Sequence, residues 1–205
     1  MQFISSDPSV IKSITQRVLL NAWLRAARTL HTLPLLSDFH TDGTADERAD
    51  IMKFNVVGAG DAARFLITQQ GARLTSAYGN EHIDPRLRIG RYLDDAIGPQ
   101  RYAGVILSYR ACLARKRPTY TVATVQDADG KDVSYERLLL PFGRGGPVEQ
   151  IVGSYKAVSI EGGFQLHNLM GVTPKTAPIV TLRAVIDRAF VPADRPATAD
   201  TIELI

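Results

Sequence analysis

The clearest alternation of apolar and polar positions runs from Pro118 to Tyr155 and predicts three consecutive antiparallel strands. Thr119–Gln126, rich in Thr, Val and Tyr, ends at Asp127-Ala128-Asp129-Gly130, the Asp/Gly chemistry of a tight hairpin. Lys131–Phe142 is the second strand, stopped by Pro141 and the Gly143–Pro147 cluster, and Val148–Ser159 is the third. Strand periodicity sends Leu138 and Leu140 to one face and Leu139 to the other. A sheet apolar on both faces needs cover on both, and the cover has to come from earlier in the chain.

Upstream, Asp7 and Pro8 read as cap and first position of a helix whose amphipathic pattern continues to about Leu30. Ser13, Arg17, Asn21 and Arg28 mark its polar side, and Ile11, Ile14, Val18, Leu19, Ala22, Trp23, Ala26 and Leu30 span a broad apolar arc. Ile14, Val18, Leu19 and Trp23 are the candidates for docking on the sheet or on a second copy; closure of the core by an ordinary packing helix fits the same pattern. Leu33-Pro34 ends the helix. The loop 37–49 holds Asp38, His40, Asp42 and Asp46, with Asp50 just beyond, at spacings that match no metal-ligand pattern.

Ile51–Gly58 and Ala62–Gln69 predict a hairpin turned at Gly58–Asp61. That turn lacks the Lys and Ser of a phosphate-binding loop and leads into a strand. Gly71–Gly79 reads as one or two helical turns with a glycine cap, Pro85–Ala96 as a short helix, and Gln100–Lys116, after the Gly98-Pro99 break, as the long helix. Tyr102, Val105, Ile106, Tyr109 and Leu113, with Cys112 beside them, form its buried side. Glu161–Met170 suggests a short helix, and Ile179–Phe190 a strand or edge cover within a Pro-rich tail.

The run YERLLLPFG (Tyr135–Gly143), preceded by RPTY (Arg117–Tyr120) and D-x-x-G (Asp127–Gly130) and followed by VEQIVGSY, resembles the closing meander of a bacterial PAS-domain family. Trp23, Leu33-Pro34, Asp38-Phe39 and the segment RFLITQQGARLTSAYG precede it in that family's order, so the resemblance spans roughly residues 20 to 168. It implies an α+β PAS fold: a five-stranded antiparallel sheet with short helices across one face and often a small-molecule pocket between them. The corresponding division is a flanking helix and loop over residues 1–50, a PAS domain over 51–168 and a partly mobile extension over 169–205. The resemblance implies no particular ligand.

Within such a pocket, Tyr92, Tyr109, Tyr120, Tyr135, Arg137 and Cys112 are the candidate lining residues. Tyr135 and Arg137 face opposite to Glu136, and the sequence leaves open which set is inner. An inward Arg137 would call for an anionic or carboxylate ligand; a structural ion pair with Glu136 is the plainer reading, and a core aromatic is the plainer reading of each tyrosine. Haem is disfavoured, because haem-binding members use a histidine on the long helix and the histidines here are His31, His40, His82 and His167. Flavin is disfavoured too, because Cys112 sits late in that helix, within RACLARK, and not in a photosensor motif before it.

Composition narrows the remaining classes. The chain has 205 residues, 45% hydrophobic and 22% charged, enough for one well-filled core. A formal charge of +3 is a weak footprint for nucleic acid. One cysteine precludes an internal disulfide and a cysteine-built metal site, no apolar run reaches membrane-span length, and no export signal is visible. These features suggest a cytoplasmic protein without a membrane partner. Neither a nucleophile elbow nor a zinc signature occurs, and no kinase, cyclase or helix-turn-helix output is recognisable. The expectation is a non-enzymatic sensory protein that binds a small molecule or a protein partner and works as a dimer or through that partner. Its rivals are a ligand-free interaction module, which requires a filled interior, and an enzyme, which requires an open pocket with converging acid–base groups.

Overall fold

The structure, a computed structural model, describes residues 2–27, 32–40, 48–77, 82–127, 129–160, 162–163 and 178–187. In chain order the elements are β1 (Ile4–Ser6), α1 (Ile14–Ala26), β2 (Ile51–Val57), β3 (Arg64–Gln70), α2 (Ala72–Ala77), α3 (Leu93–Arg115), β4 (Thr119–Gln126), β5 (Asp132–Phe142), β6 (Gln150–Ser159) and β7 (Ile179–Ile186). They build an α+β fold around one seven-stranded mixed sheet in the order β1-β7-β4-β5-β6-β2-β3. The five strands from β4 to β3 in that order are antiparallel throughout.

Two strands more than expected are present, and both add at the β4 edge. β7 pairs antiparallel with β4, and β1 pairs parallel with β7. Left bare, β4 would present a row of unpaired backbone groups, which β7 satisfies. The apolar stretch beginning at Ile179 therefore becomes a sheet strand. The predicted helix at Glu161–Met170 lies outside the described residues, apart from Gly162 and Gly163.

The start of the chain also departs from expectation. Asp7 does cap a turn, accepting from the Ser9 N–H at 2.7 Å, but that turn is a single 3-10 turn, Pro8–Val10. The chain then extends through Ile11, which is fully buried, and restarts as α1 at Ser13, whose hydroxyl accepts from the Gln16 N–H. Extended backbone at Ile11 (ψ 118°) and Ser13 (ψ 125°) interrupts the helix expected from Asp7. Ser13-x-x-Gln16 is a capping sequence that marks the true start.

Leu138, Leu139 and Leu140 on β5 are all at 0% exposure, and the sheet is covered on both faces as their alternation requires. Leu138, Leu140 and Phe142 pack with Leu19, Leu20 and Trp23 of α1, while Leu139, Val133 and Tyr135 pack with Ile106, Tyr109 and Cys112 of α3. Full burial of each leucine contributes roughly 1.5–3 kcal/mol. Leu19 and Trp23 are thus committed to the core, and the Trp23 indole N–H donates to Pro141 O at 2.7 Å. Ile14 and Val18 point outward, at 72% and 45% exposure. Gln16, the buried polar residue of α1, donates from Nε2 to Glu136 O at 3.5 Å and to Ser154 O at 3.0 Å, tying the helix to β5 and β6.

On the opposite face, the predicted helix Pro85–Ala96 is a 3-10 turn at Pro85–Leu87 followed by a turn at Ile89-Gly90, closed by the Arg91 N–H donating to Arg88 O; Tyr92 bridges to Leu66 of β3, and α3 begins only at Leu93. The break expected at Gly98-Pro99 is present inside α3, where Gly98 adopts φ 76°, ψ 163°. A side chain is strained at that φ, and Pro99 then restarts the helix with its φ already set.

These contacts predict a sharp difference between two substitutions. Leu139→Ala should cost about 2–5 kcal/mol, because it opens a cavity at the centre of the sheet. Ile14→Ala should stay within about 0.5 kcal/mol. Urea unfolding of both variants checks this; comparable losses would place Ile14 in the core.

Candidate ligand site

Between α3 and the sheet lies a cavity of about 490 Å³. Its floor is set by strand register. Thr121 of β4 is paired on one side with Arg137 of β5 and on the other with Arg183 of β7, so the three form one row across the sheet. In the next row Ala123 is paired with Tyr135 and Val180. Arg183 and Val180 are three residues apart, and plain alternation would put them on opposite faces. A register shift between Val122 and Ala123, which leaves Thr181 extra in β7, brings both to the cavity.

The roof is the part of α3 after its break. Arg101, Gly104, Val105 and Ser108 all line the cavity, at the spacing of one helical face. The space exists because facing residues are small: Gly104 and Ser108 above, Ala123 and Thr121 below. At the inner wall the Ser108 and Thr121 hydroxyls are 3.1 Å apart in a hydrogen bond, and the Thr119 hydroxyl donates to Ser108 O at 3.3 Å. Gly104 is exposed at the mouth, where a Cβ would meet nothing within 4 Å. His82 stands beside Gly98 at the rim.

A smaller cavity of about 30 Å³ adjoins the first, sharing Ile97, Arg101, Val105 and Arg137 with it. Arg88, only 1% exposed, and the Tyr109 and Tyr155 rings border it. The two tyrosine hydroxyls hydrogen-bond at 2.6 Å, and the Tyr109 ring meets Phe54 edge-on and Phe65 at a tilt. Gly153 makes this arrangement possible: a Cβ there would fall 2.6 Å from the Tyr155 hydroxyl oxygen.

Of the pocket candidates, Tyr135 and Arg137 line the larger cavity, and Arg137 also borders the smaller one with Tyr109. The face left open by the sequence is therefore settled: Tyr135 and Arg137 look towards α3, and Glu136 looks towards α1. Three candidates lie elsewhere. Tyr120 projects from the α1 face, where the Lys12 N–H donates to its hydroxyl at 3.3 Å. Burial raises its pKa, the Lys12 N–H opposes the rise, and the nearby Glu136 adds to it. Cys112 is fully buried among core side chains one helical turn beyond the roof, its thiol 3.9 Å from Leu139 O. Tyr92, at the start of α3, is stacked under the Arg64 guanidinium, 3.9 Å from the ring centre.

Arg64 also pairs with Asp94 and Asp95, at 2.8 and 2.9 Å, and so fixes the first turn of α3 against β3. Sequence reasoning missed Arg88, Arg101 and Arg183. Arg101 had a signal, lying four and seven residues before Val105 and Ser108 on the inner helical face; Arg183 had none, because its direction depends on the bulge.

In the acidic segment, Asp50 is 2% exposed and ion-paired with Arg73 and Lys156, a structural role. Asp42 and Asp46 lie outside the described residues. Among the described residues, no helix is long and apolar enough to cross a membrane. No family model matches the chain, and no curated protein matches it.

Burial pushes the Cys112 pKa well above the ordinary thiol value, against a smaller lowering by a hydrogen bond from Thr119. A group held neutral by the fold stabilises it fully below the unfolded pKa, and that contribution is lost as pH rises beyond it. Stability should therefore decline above about pH 8.5, with Cys112 contributing up to about 1.4 kcal/mol per pH unit. Urea midpoints from pH 8 to 10 on wild type and Cys112→Ala check this, the wild type showing the steeper fall. An aromatic disulfide reagent should label Cys112 readily only after unfolding.

Proposed function

We propose that this chain is a cytoplasmic sensory module of the PAS type, which binds a small molecule between α3 and the sheet and signals to a protein partner or a second copy. The cavity is the observation that carries the proposal. Its volume of about 490 Å³ falls within the ~300–1,000 Å³ typical of small-molecule sites, whereas a ligand-free interaction module calls for a filled interior. Support for the PAS assignment comes from the five contiguous antiparallel strands, with the helical connection from β3 to β4 crossing one face.

A route outward runs through β5. Tyr135 and Arg137 face the cavity, and the carbonyl of Glu136 between them accepts from Gln16 of α1. Displacement of β5 by a bound molecule would move the strand to which α1 is tied. The outward residues Ile14 and Val18 then give the helix a surface for a partner or second copy.

Native mass spectrometry compared with the denatured mass tests this reading. The expected result is added mass on the wild-type chain that is absent from Gly104→Phe, where an aromatic ring closes the mouth; the same spectrum reads the dimer. Bare chain mass for both proteins, with no thermal stabilisation of wild type by a metabolite panel, would overturn it.

A further inference from the structure

We infer that the cavity takes an uncharged, mainly apolar molecule ending in one carbonyl group, which the Ser108–Thr121 hydroxyl pair receives. This rests on the ligand-binding reading and specifies the class of ligand. Polar groups line the cavity at two depths. His82 and Gln100 are exposed at the rim, where water meets them. Ser108 and Thr121 stand at the inner wall, 3% and 6% exposed.

The hydroxyl pair has one proton more than it can use. Each hydroxyl carries a single proton, and the 3.1 Å bond between the two uses one of them, whichever side donates. Neither side chain makes another hydrogen bond among the described residues; the Thr119 hydroxyl reaches Ser108 through the backbone carbonyl only. A buried donor without a partner is destabilising, so the second proton needs an acceptor from whatever fills the cavity. A carbonyl oxygen supplies one and brings no proton of its own.

The arginines do not change this choice. Arg101, Arg137 and Arg183 line the same space, and an inward Arg137 calls for an anion only where the guanidinium lacks a partner. Each of the three already interacts with another group of the protein. A carboxylate head would give up its hydration against a largely apolar lining, a cost that an uncharged carbonyl largely escapes.

The body of the ligand is set by the rest of the lining. From Thr121 the floor runs along β4 through Ala123 to Val125, about 13 Å at ~3.3 Å per residue. Ile97, Val105, Val180 and the Tyr135 ring bound the same space. These surfaces favour an aliphatic or aromatic body, and the span suits two fused rings or a chain of similar length.

Three compounds on one ring system test this on the full chain: 2-acetylnaphthalene, 2-ethylnaphthalene and 2-naphthoate, which carry a ketone, no oxygen and a carboxylate. The ketone should bind one per chain, at least about tenfold tighter than the carboxylate. The double variant Ser108→Ala/Thr121→Val, which removes both hydroxyls with little change of shape, should weaken the ketone about tenfold and change the hydrocarbon less than about twofold. Both hydroxyls have to go, because either one alone still has a proton to offer. Infrared spectra of isotope-labelled ketone bound to wild type should show its carbonyl band below the frequency found in hexane, the mark of an accepted hydrogen bond. That measurement stands even if the double variant fails to fold.

Carboxylate binding as tight as the ketone's, a hexane-like carbonyl band, or a ketone indifferent to the double variant overturns the carbonyl assignment. If Gly104→Phe abolishes binding in the same experiments, the ligand-binding reading stands without it. Binding that Gly104→Phe leaves unchanged, or no binding by any of the three compounds, overturns the ligand-binding reading itself.

Discussion

Everything in this fold depends on a sheet whose central strand is apolar on both sides. β5 sends Leu138, Leu140 and Phe142 one way and Leu139 the other, and none of the four is exposed. Neither set can be left to water, so a helix is required on each face. α1 and α3 answer that requirement, and the two cores they close share the same strands. The chain before β2 is consequently part of the interior: Trp23, Leu19 and Ile11 are as buried as the sheet residues beneath them.

The two faces are filled differently, and that difference creates the site. On the α1 side, large side chains close on the sheet and the polar exceptions are few: Gln16 reaches two strand carbonyls, and Glu136 sits beside Tyr120. On the α3 side the helix is broken at Gly98, and beyond the break Gly104 and Ser108 face Ala123 and Thr121. Small residues opposite small residues leave space. Further along the same helix, Tyr109 and Cys112 fill it again, with the Tyr109–Tyr155 hydroxyl contact as a firm inner boundary.

β5 belongs to both halves, which gives the cavity and α1 a shared element. Alternation along three consecutive residues places Tyr135 and Arg137 at the cavity and Glu136 at the helix. Strand β7 has an equally double part: it covers the edge of β4 and, through its bulge, supplies Arg183 and Val180 to the cavity. Without β7 the cavity would lose one wall and one of its three arginines.

How much of this was legible depends on how local each cause is. The meander, the first hairpin and the break in the long helix follow from neighbouring residues: alternation, Asp/Gly turns, and a Gly-Pro pair that cannot continue a helix. The need for two covered faces was likewise readable from three leucines. The sequence left open which face carried Arg137, because alternation fixes relative and not absolute direction; only the docking of α3 chose it. It misplaced Tyr120 for the same reason, and it took Cys112 for a lining residue although a helical turn separates the filled part of α3 from the hollow part. Strand β1 escaped because it is only three residues long and pairs over a long sequence distance, whereas Ile179–Phe190 was readable as a strand or edge cover; what escaped in β7 was the edge it joins and the bulge that resets its alternation. Local preference sets what each segment can be; which side chains meet in the cavity is decided by long-range pairing and by which faces the helices cover.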